Sequence, residues 1–111
     1  MSRKKMVDQL TDPAYYILLS LVEAKHGYSI MKEIGDMTEG EMLVGPATLY
    51  THLKKLQETD LIRLYGEEEE RRKTYIATEK GVKLLHQEVE RRKKMVVHAE
   101  RMLEKLGGEG N

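Results

Sequence analysis

The residues best suited to chemistry lie in one short stretch, Gly45-Pro46-Ala47-Thr48-Leu49-Tyr50-Thr51-His52-Leu53-Lys54-Lys55-Leu56. Pro46 fits the first position of a helix, where a missing N–H costs nothing. Leu49, Leu53 and Leu56 recur at i, i+4 and i+7 and form one apolar stripe that must face a core. Thr48, Thr51, His52 and Lys55 are left on the outside, with Tyr50 and Lys54 on the flanks. Hydroxyls, a phenol and ammonium groups on a short helix can donate to phosphate oxygens and base edges, the chemistry of a DNA groove. The same pattern also describes an ordinary amphipathic helix, and the flanking elements must decide. No other constellation competes. The four histidines, His26, His52, His86 and His98, are scattered, and His86 with Glu90 on one helical face makes a poor metal site. There is no nucleophile motif and no glycine-rich phosphate cradle. The expectation is a protein without catalytic residues, metal or cofactor.

The elements that would position this helix follow from the pattern on either side. Thr11-Asp12-Pro13 opens a first helix, with Ala14, Ile17, Leu18, Leu21 and Val22 on its buried face and its end near His26-Gly27. A second runs from about Tyr28 to Met37, with Ile30, Ile34 and Met37 as its stripe. Met42-Leu43-Val44 has the character of a very short strand before Gly45-Pro46 resets the chain. After the third helix, Leu61-Ile62-Arg63-Leu64-Tyr65 and Lys73-Thr74-Tyr75-Ile76-Ala77-Thr78 alternate as two strands of a hairpin. Ile62 and Leu64 would share one side of it. A hairpin joined to a helix-turn-helix is a wing, so the expected class is α+β, mostly α: a winged helix-turn-helix. The wing tip, Glu67 to Lys73, is a charge run; Arg71, Arg72 and Lys73 within it are candidate phosphate or minor-groove contacts.

Thr78-Glu79-Lys80 then begins a long helix, with Thr78 as its cap. Val82, Leu85, Val89, Arg92, Val96, Ala99, Leu103 and Leu106 alternate three and four residues apart, a heptad seam interrupted by Arg92 and widened by Met95 and Met102. A helix of about 28 residues is about 42 Å long and has no way to bury that stripe on so small a domain. A second copy of the same helix is the simplest cover. Val82, Leu85, Val89, Val96, Ala99, Leu103 and Leu106 are thus the candidate dimer interface, and Arg92 would reach solvent or an acid such as Glu88 of the partner subunit. The chain divides into a DNA-binding domain, 1–78, a dimerisation helix, 79–106, and a disordered tail, 107–111.

With 111 residues and neither Cys, Trp nor Phe, the core must be built from aliphatic side chains, Met and some of the six Tyr. Absence of Cys is consistent with the cytosol, and no apolar run approaches the roughly 20 residues that span a bilayer. Met1-Ser2-Arg3-Lys4-Lys5 lacks the apolar block of a signal peptide. The net charge is zero, but Arg3, Lys4 and Lys5 make a basic tip, residues 12–45 carry six acids against two bases, and residues 80–105 carry eight bases against four acids, so a polarised molecule is expected.

The sequence resembles the PadR family of transcriptional regulators. The likeness rests on His26-Gly27-Tyr28, on Pro46-Ala47-Thr48-Leu49-Tyr50 with Leu53 and Leu56, on Leu61-Ile62, and on Arg72-Lys73-Thr74-Tyr75 running to Thr78-Glu79-Lys80-Gly81. It covers residues from about 14 to 85, and the length is similar to the short subfamily with a single C-terminal dimerisation helix. The resemblance implies a homodimeric repressor in the prokaryotic cytoplasm, bound to a palindromic operator on double-stranded DNA and released by a small molecule or another signal. By position it assigns Thr48, Tyr50, Thr51 and Lys54 to the recognition helix, Arg72 and Lys73 to the wing, and Tyr28 to phosphate or to the core. Three positions depart from the family. Asp60 stands where Gly is usual, Thr51-His52 replaces a commoner Pro-Ala, and four consecutive Glu occupy the wing tip.

The rival reading is a winged helix that binds proteins instead of DNA. It would show exposed apolar residues on the outer face of the third helix, where this chain has Thr, His, Lys and a Tyr hydroxyl. Some relatives stack flat aromatic drugs on a Trp between the long helices, and this chain has no Trp. Tyr15, Tyr16, Met95 and Val96, with Met6-Val7, are candidate lining for a smaller apolar effector, or alternatively packing residues.

Overall fold

The computed structural model describes residues 9–66 and 72–110, the last three by backbone alone. Seven elements follow one another: α1 (Asp12–Ser20), β1 (Lys25–His26), α2 (Gly27–Met37), α3 (Pro46–Glu58), β2 (Ile62–Leu64), β3 (Thr74–Ala77) and α4 (Glu79–Gly110). The expected winged helix-turn-helix is present, with a long helix attached. Thr11 caps α1, accepting from the Ala14 N–H at 3.3 Å. Pro46 opens α3 and Thr78 caps α4, its hydroxyl oxygen accepting from Gly81 N–H at 3.0 Å.

α1, α2 and α3 pack around Ile17, Leu18, Leu21, Ile30, Ile34, Leu49 and Leu53, all fully or almost fully buried. Leu61 and Ile62 close this core from the sheet, and Leu84 and Leu85 close it from α4. Burying a side chain of this size contributes about 1.5–3 kcal/mol, so the three leucines of α3 firmly fix which of its faces looks outward. The sheet is antiparallel in the order β1-β3-β2. Lys25 pairs with Tyr75 on one side, and Ile62 pairs with Ala77 on the other.

Several expectations are corrected here. α1 stops at Ser20, not near His26-Gly27, because the Leu21 carbonyl accepts from the Ala77 N–H (2.8 Å) and the chain turns into β1. Val22 therefore leaves the buried face and is exposed, as are Met37 at the end of α2 and Leu64 in β2. Met42-Leu43-Val44 forms no strand. α4 continues to Gly110, through the stretch expected to be a tail. Asp60 does adopt the left-handed conformation, with φ 64°, that the turn after α3 requires.

Candidate nucleic-acid interface

The outer face of α3 is built by the burial of its inner one. Leu49, Leu53 and Leu56 are buried, which leaves Thr48, Tyr50, Thr51 and Lys54 exposed. His52 is half-buried and lines a cleft with Leu10, Thr11 and Ala14. Lys54 Nζ lies 3.5 Å from Glu58 Oε2, one turn along, with both side chains mostly in water. Such a pair is weak, at about 0.3–0.5 kcal/mol, and leaves the ammonium free to take a stronger anion.

Tyr50 stands at the edge of a cleft of about 500 Å³ lined by His26, Gly27, Tyr28, Tyr50, Arg72, Lys73 and Tyr75. Three elements meet there: the start of α2, the first turns of α3 and the base of the wing. The Tyr50 ring lies so close to α2 that a Cβ on Gly27 would stand 3.2 Å from its Cζ, so the glycine permits the approach. Tyr28 lines the cleft and is 67% exposed, so the alternative of a core anchor is excluded. Arg72 Nη1 lies 3.3 Å from His26 Nε2, which ties the wing to β1. Burial raises the Tyr75 phenol above its ordinary pKa, with Tyr50 adding to the effect, so Tyr75 stays a neutral donor. His26 was missed as a site residue because, by sequence, it reads only as the end of a helix; its place before a Gly-Tyr pair was the available signal.

Arg71 lies outside the described residues, as do Glu67 to Glu70 and the Met6-Val7 pair. Of the residues considered for a small ligand, Tyr15 and Tyr16 border a groove with Leu19, Met37 and Met42. Met95 and Val96 lie further along α4, exposed, and do not share that groove. Among the described residues there is no cluster of metal-ligating side chains.

On α4 the seam residues divide. Leu85 belongs to the domain's own core, and Val82 and Val89 are half-buried. Val96, Ala99, Leu103 and Leu106 are exposed in the single chain. Arg92 does not reach outward. It turns back to Glu88 of its own chain and to Asp12, because the segment before α1 passes beneath it. Among the described helices none is long and apolar enough to cross a membrane.

Known proteins agree with this architecture. A transcriptional regulator from Clostridium thermocellum is 31% identical, with TM-score 0.66 over 78% of this chain and 86% of its own. A PadR family transcriptional regulator from Eggerthella lenta shares the fold at 22% identity and TM-score 0.66, over 82% of this chain and 80% of its own. Bacillus subtilis PadR, solved in complex with operator DNA, aligns with TM-score 0.60 and 24% identity over 68% of this chain and 45% of its own. No curated protein matches the chain. The sequence model described as the transcriptional regulator PadR-like family matches residues 17–87, a span that holds α2, α3, the whole sheet and the seat of α4. The chain belongs to the PadR-like family of transcriptional regulators.

Proposed function

We propose that this regulator is a homodimeric repressor that places its two α3 helices in successive major grooves of an inverted-repeat operator. The observation that carries the reading is the outer face of α3, where Thr48, Tyr50, Thr51 and Lys54 are exposed beside the cleft holding Tyr28, Arg72 and Lys73. Thr48 and Thr51 are short and suit close base or backbone contacts, and Lys54 suits phosphate or a guanine edge. Tyr28, Arg72 and Lys73, with Arg71, would hold the flanking phosphates. Val96, Ala99, Leu103 and Leu106 form the free part of the dimer seam, supported by Val82, Val89 and what remains of Leu85. Two copies related by a two-fold axis imply half-site centres about 10 base pairs apart or a multiple of that. A small apolar effector would need a pocket completed by the partner's α4, since Tyr15 and Tyr16 do not meet Met95 and Val96 within one chain.

The rival reading, a protein-binding winged helix, expects apolar groups on the outer face of α3; Tyr50 is the sole large one exposed there among the described residues. Lys54→Ala and Arg72→Ala, titrated against selected operator and scrambled duplex at two salt concentrations, separate the possibilities. A phosphate contact predicts uniform weakening and a salt slope flatter by about one unit per half-site. A guanine contact by Lys54 predicts a loss of about 1–3 kcal/mol confined to operators with that base. Parental binding by both variants at every salt would move recognition off this face and favour the rival.

A further inference from the structure

A polar cluster sits where α4 leaves the winged domain. Glu88 is 1% exposed. Its carboxylate accepts from Arg91 Nε at 3.1 Å and Nη2 at 2.9 Å, and from Arg92 Nε at 3.3 Å. The remaining nitrogens of Arg92 cross to the segment leading into α1. Nη1 donates to Asp12 Oδ1 and Nη2 to the Leu10 carbonyl, both at 3.0 Å. The guanidinium lies 4.1 Å from the centroid of the Tyr15 ring. The Leu10 N–H in turn favours the Glu88 carboxylate. Arg92 therefore ties Glu88 on α4 to the Leu10 carbonyl and to Asp12 at the start of α1, and the planar fork of an arginine is needed to do so.

Besides Leu84 and Leu85 in the core, two points fix α4 against its domain. The first is Gly81, which lies so close to the Leu61 carbonyl that a Cβ would collide with it. The second is Arg92, eleven residues further along, about 16 Å at 1.5 Å per residue. From residue 93 to residue 106 every side chain is exposed, so α4 has no further support from the described residues of its own chain. A buried carboxylate with two arginines is a weak source of net stability, since apolar groups of the same size often do as well. What it supplies instead is direction.

We propose that Glu88 and Arg92 are positioning residues that fix the angle between the winged domain and α4, and thereby the half-site spacing the dimer accepts. The inference rests on the reading of α4 as the dimer helix and α3 as the DNA-facing helix. Leu106 lies about 21 Å beyond Arg92, so a tilt of about 10° displaces one end against the other by about 3.7 Å, close to one base-pair step.

The chain has no cysteine, so a single spin label on Gln57→Cys, at an exposed position of α3, reports the distance between the winged domains of a dimer. Parent and Arg92→Ala are compared in this background, by label distance and by affinity for inverted repeats whose spacing changes in single base-pair steps around the operator selected from random DNA. The parent should give one narrow distance and prefer one spacing by about tenfold or more over its neighbours. Arg92→Ala should remain dimeric by sedimentation, broaden the distance distribution and reduce the preference to about threefold or less. Arg92→Lys, which keeps the charge and loses the fork, should behave like the alanine variant. Should Arg92→Ala fail to fold, Asp12→Asn removes one exposed arm of the cluster and should broaden the distances in the same direction. A dimeric Arg92→Ala with parental distances and parental spacing preference overturns the inference while leaving the regulator reading intact. A dimeric parent that selects no inverted repeat overturns the functional reading instead, and the label distances then still decide the positioning claim. A monomeric parent overturns both.

Discussion

Gly81→Ala should destabilise this protein, although in most helices the same change stabilises. In an unhindered first turn of α4, alanine would gain about 0.5–1 kcal/mol over glycine. Here the added methyl would overlap the Leu61 carbonyl oxygen and stand 3.1 Å from its carbon and 3.2 Å from Leu18 Cδ1. Restoring a C···O contact of about 3.3 Å means moving α4 away from the start of β2 by roughly 1 Å. The Leu61 carbonyl also accepts from the Thr78 N–H at 3.0 Å, and that bond must stretch as the helix retreats. Overpacking of this kind costs about 1–3 kcal/mol and a weakened buried hydrogen bond about 0.5–1.5 kcal/mol. After subtracting the propensity gain, the expected loss is about 1–3 kcal/mol, and the cost decides the sign. Urea unfolding followed by far-ultraviolet circular dichroism measures it as a lower midpoint at unchanged slope. A midpoint equal to or above the parent's would show that α4 is not seated on Leu61 as described.

Other perturbations test other parts of the structure. Hydrogen bonding from Arg91, opposed by burial, holds the Glu88 carboxyl below its ordinary pKa. Its stabilising contribution is therefore complete above the ordinary value of about 4.3 and is lost as the pH falls through the lowered one. Glu88→Gln should cost about 1–3 kcal/mol at neutral pH and remove this part of the acid sensitivity, and parallel stability–pH curves would contradict the assignment. Leu103→Asp alters a side chain that is 62% exposed in the single chain, so the fold should survive while the seam loses an apolar member. That variant should sediment as monomer at micromolar concentration, and a stable dimer would place the interface elsewhere. Val89→Asp should do the same less cleanly, because Val89 is half-buried against its own domain. At Asp60 (φ 64°), valine should lose about 1–2 kcal/mol or more in thermal unfolding, while glycine should stay within about 1 kcal/mol of the parent, relief of strain offsetting its freer unfolded chain.

What could be read from the sequence was local in origin. Thr11, Pro13, Pro46 and Thr78 mark helix starts because capping and ring geometry act within a few residues. The Leu49, Leu53 and Leu56 stripe announces which face of α3 is inner, and therefore that Thr48, Thr51 and Lys55 are outer, whereas His52, expected beside them, is half-buried. The strand pair and the unusual demand on Asp60 are likewise consequences of near neighbours.

The remaining features depend on chain segments far apart in sequence. Leu21 and Val22 continue the helical period of α1, yet the helix ends at Ser20 because Ala77, more than fifty residues later, takes the Leu21 carbonyl. β1 is two residues long, too short to show any alternation, and exists only through its pairing with Thr74 and Tyr75. His26, Tyr28, Tyr50 and Arg72 come together in one cleft because Gly27 lets α2 and the Tyr50 ring approach. Arg92 sits in the heptad register by count, but periodicity records only the face of a helix and not what lies opposite that face. The sequence by itself settled the helix starts and the outward side of α3, since those depend on neighbours a few residues apart. Glu88 lies one turn away on the same helix, but only packing brought Arg92 onto Asp12 and Leu10, because that segment stands eighty residues away in the chain.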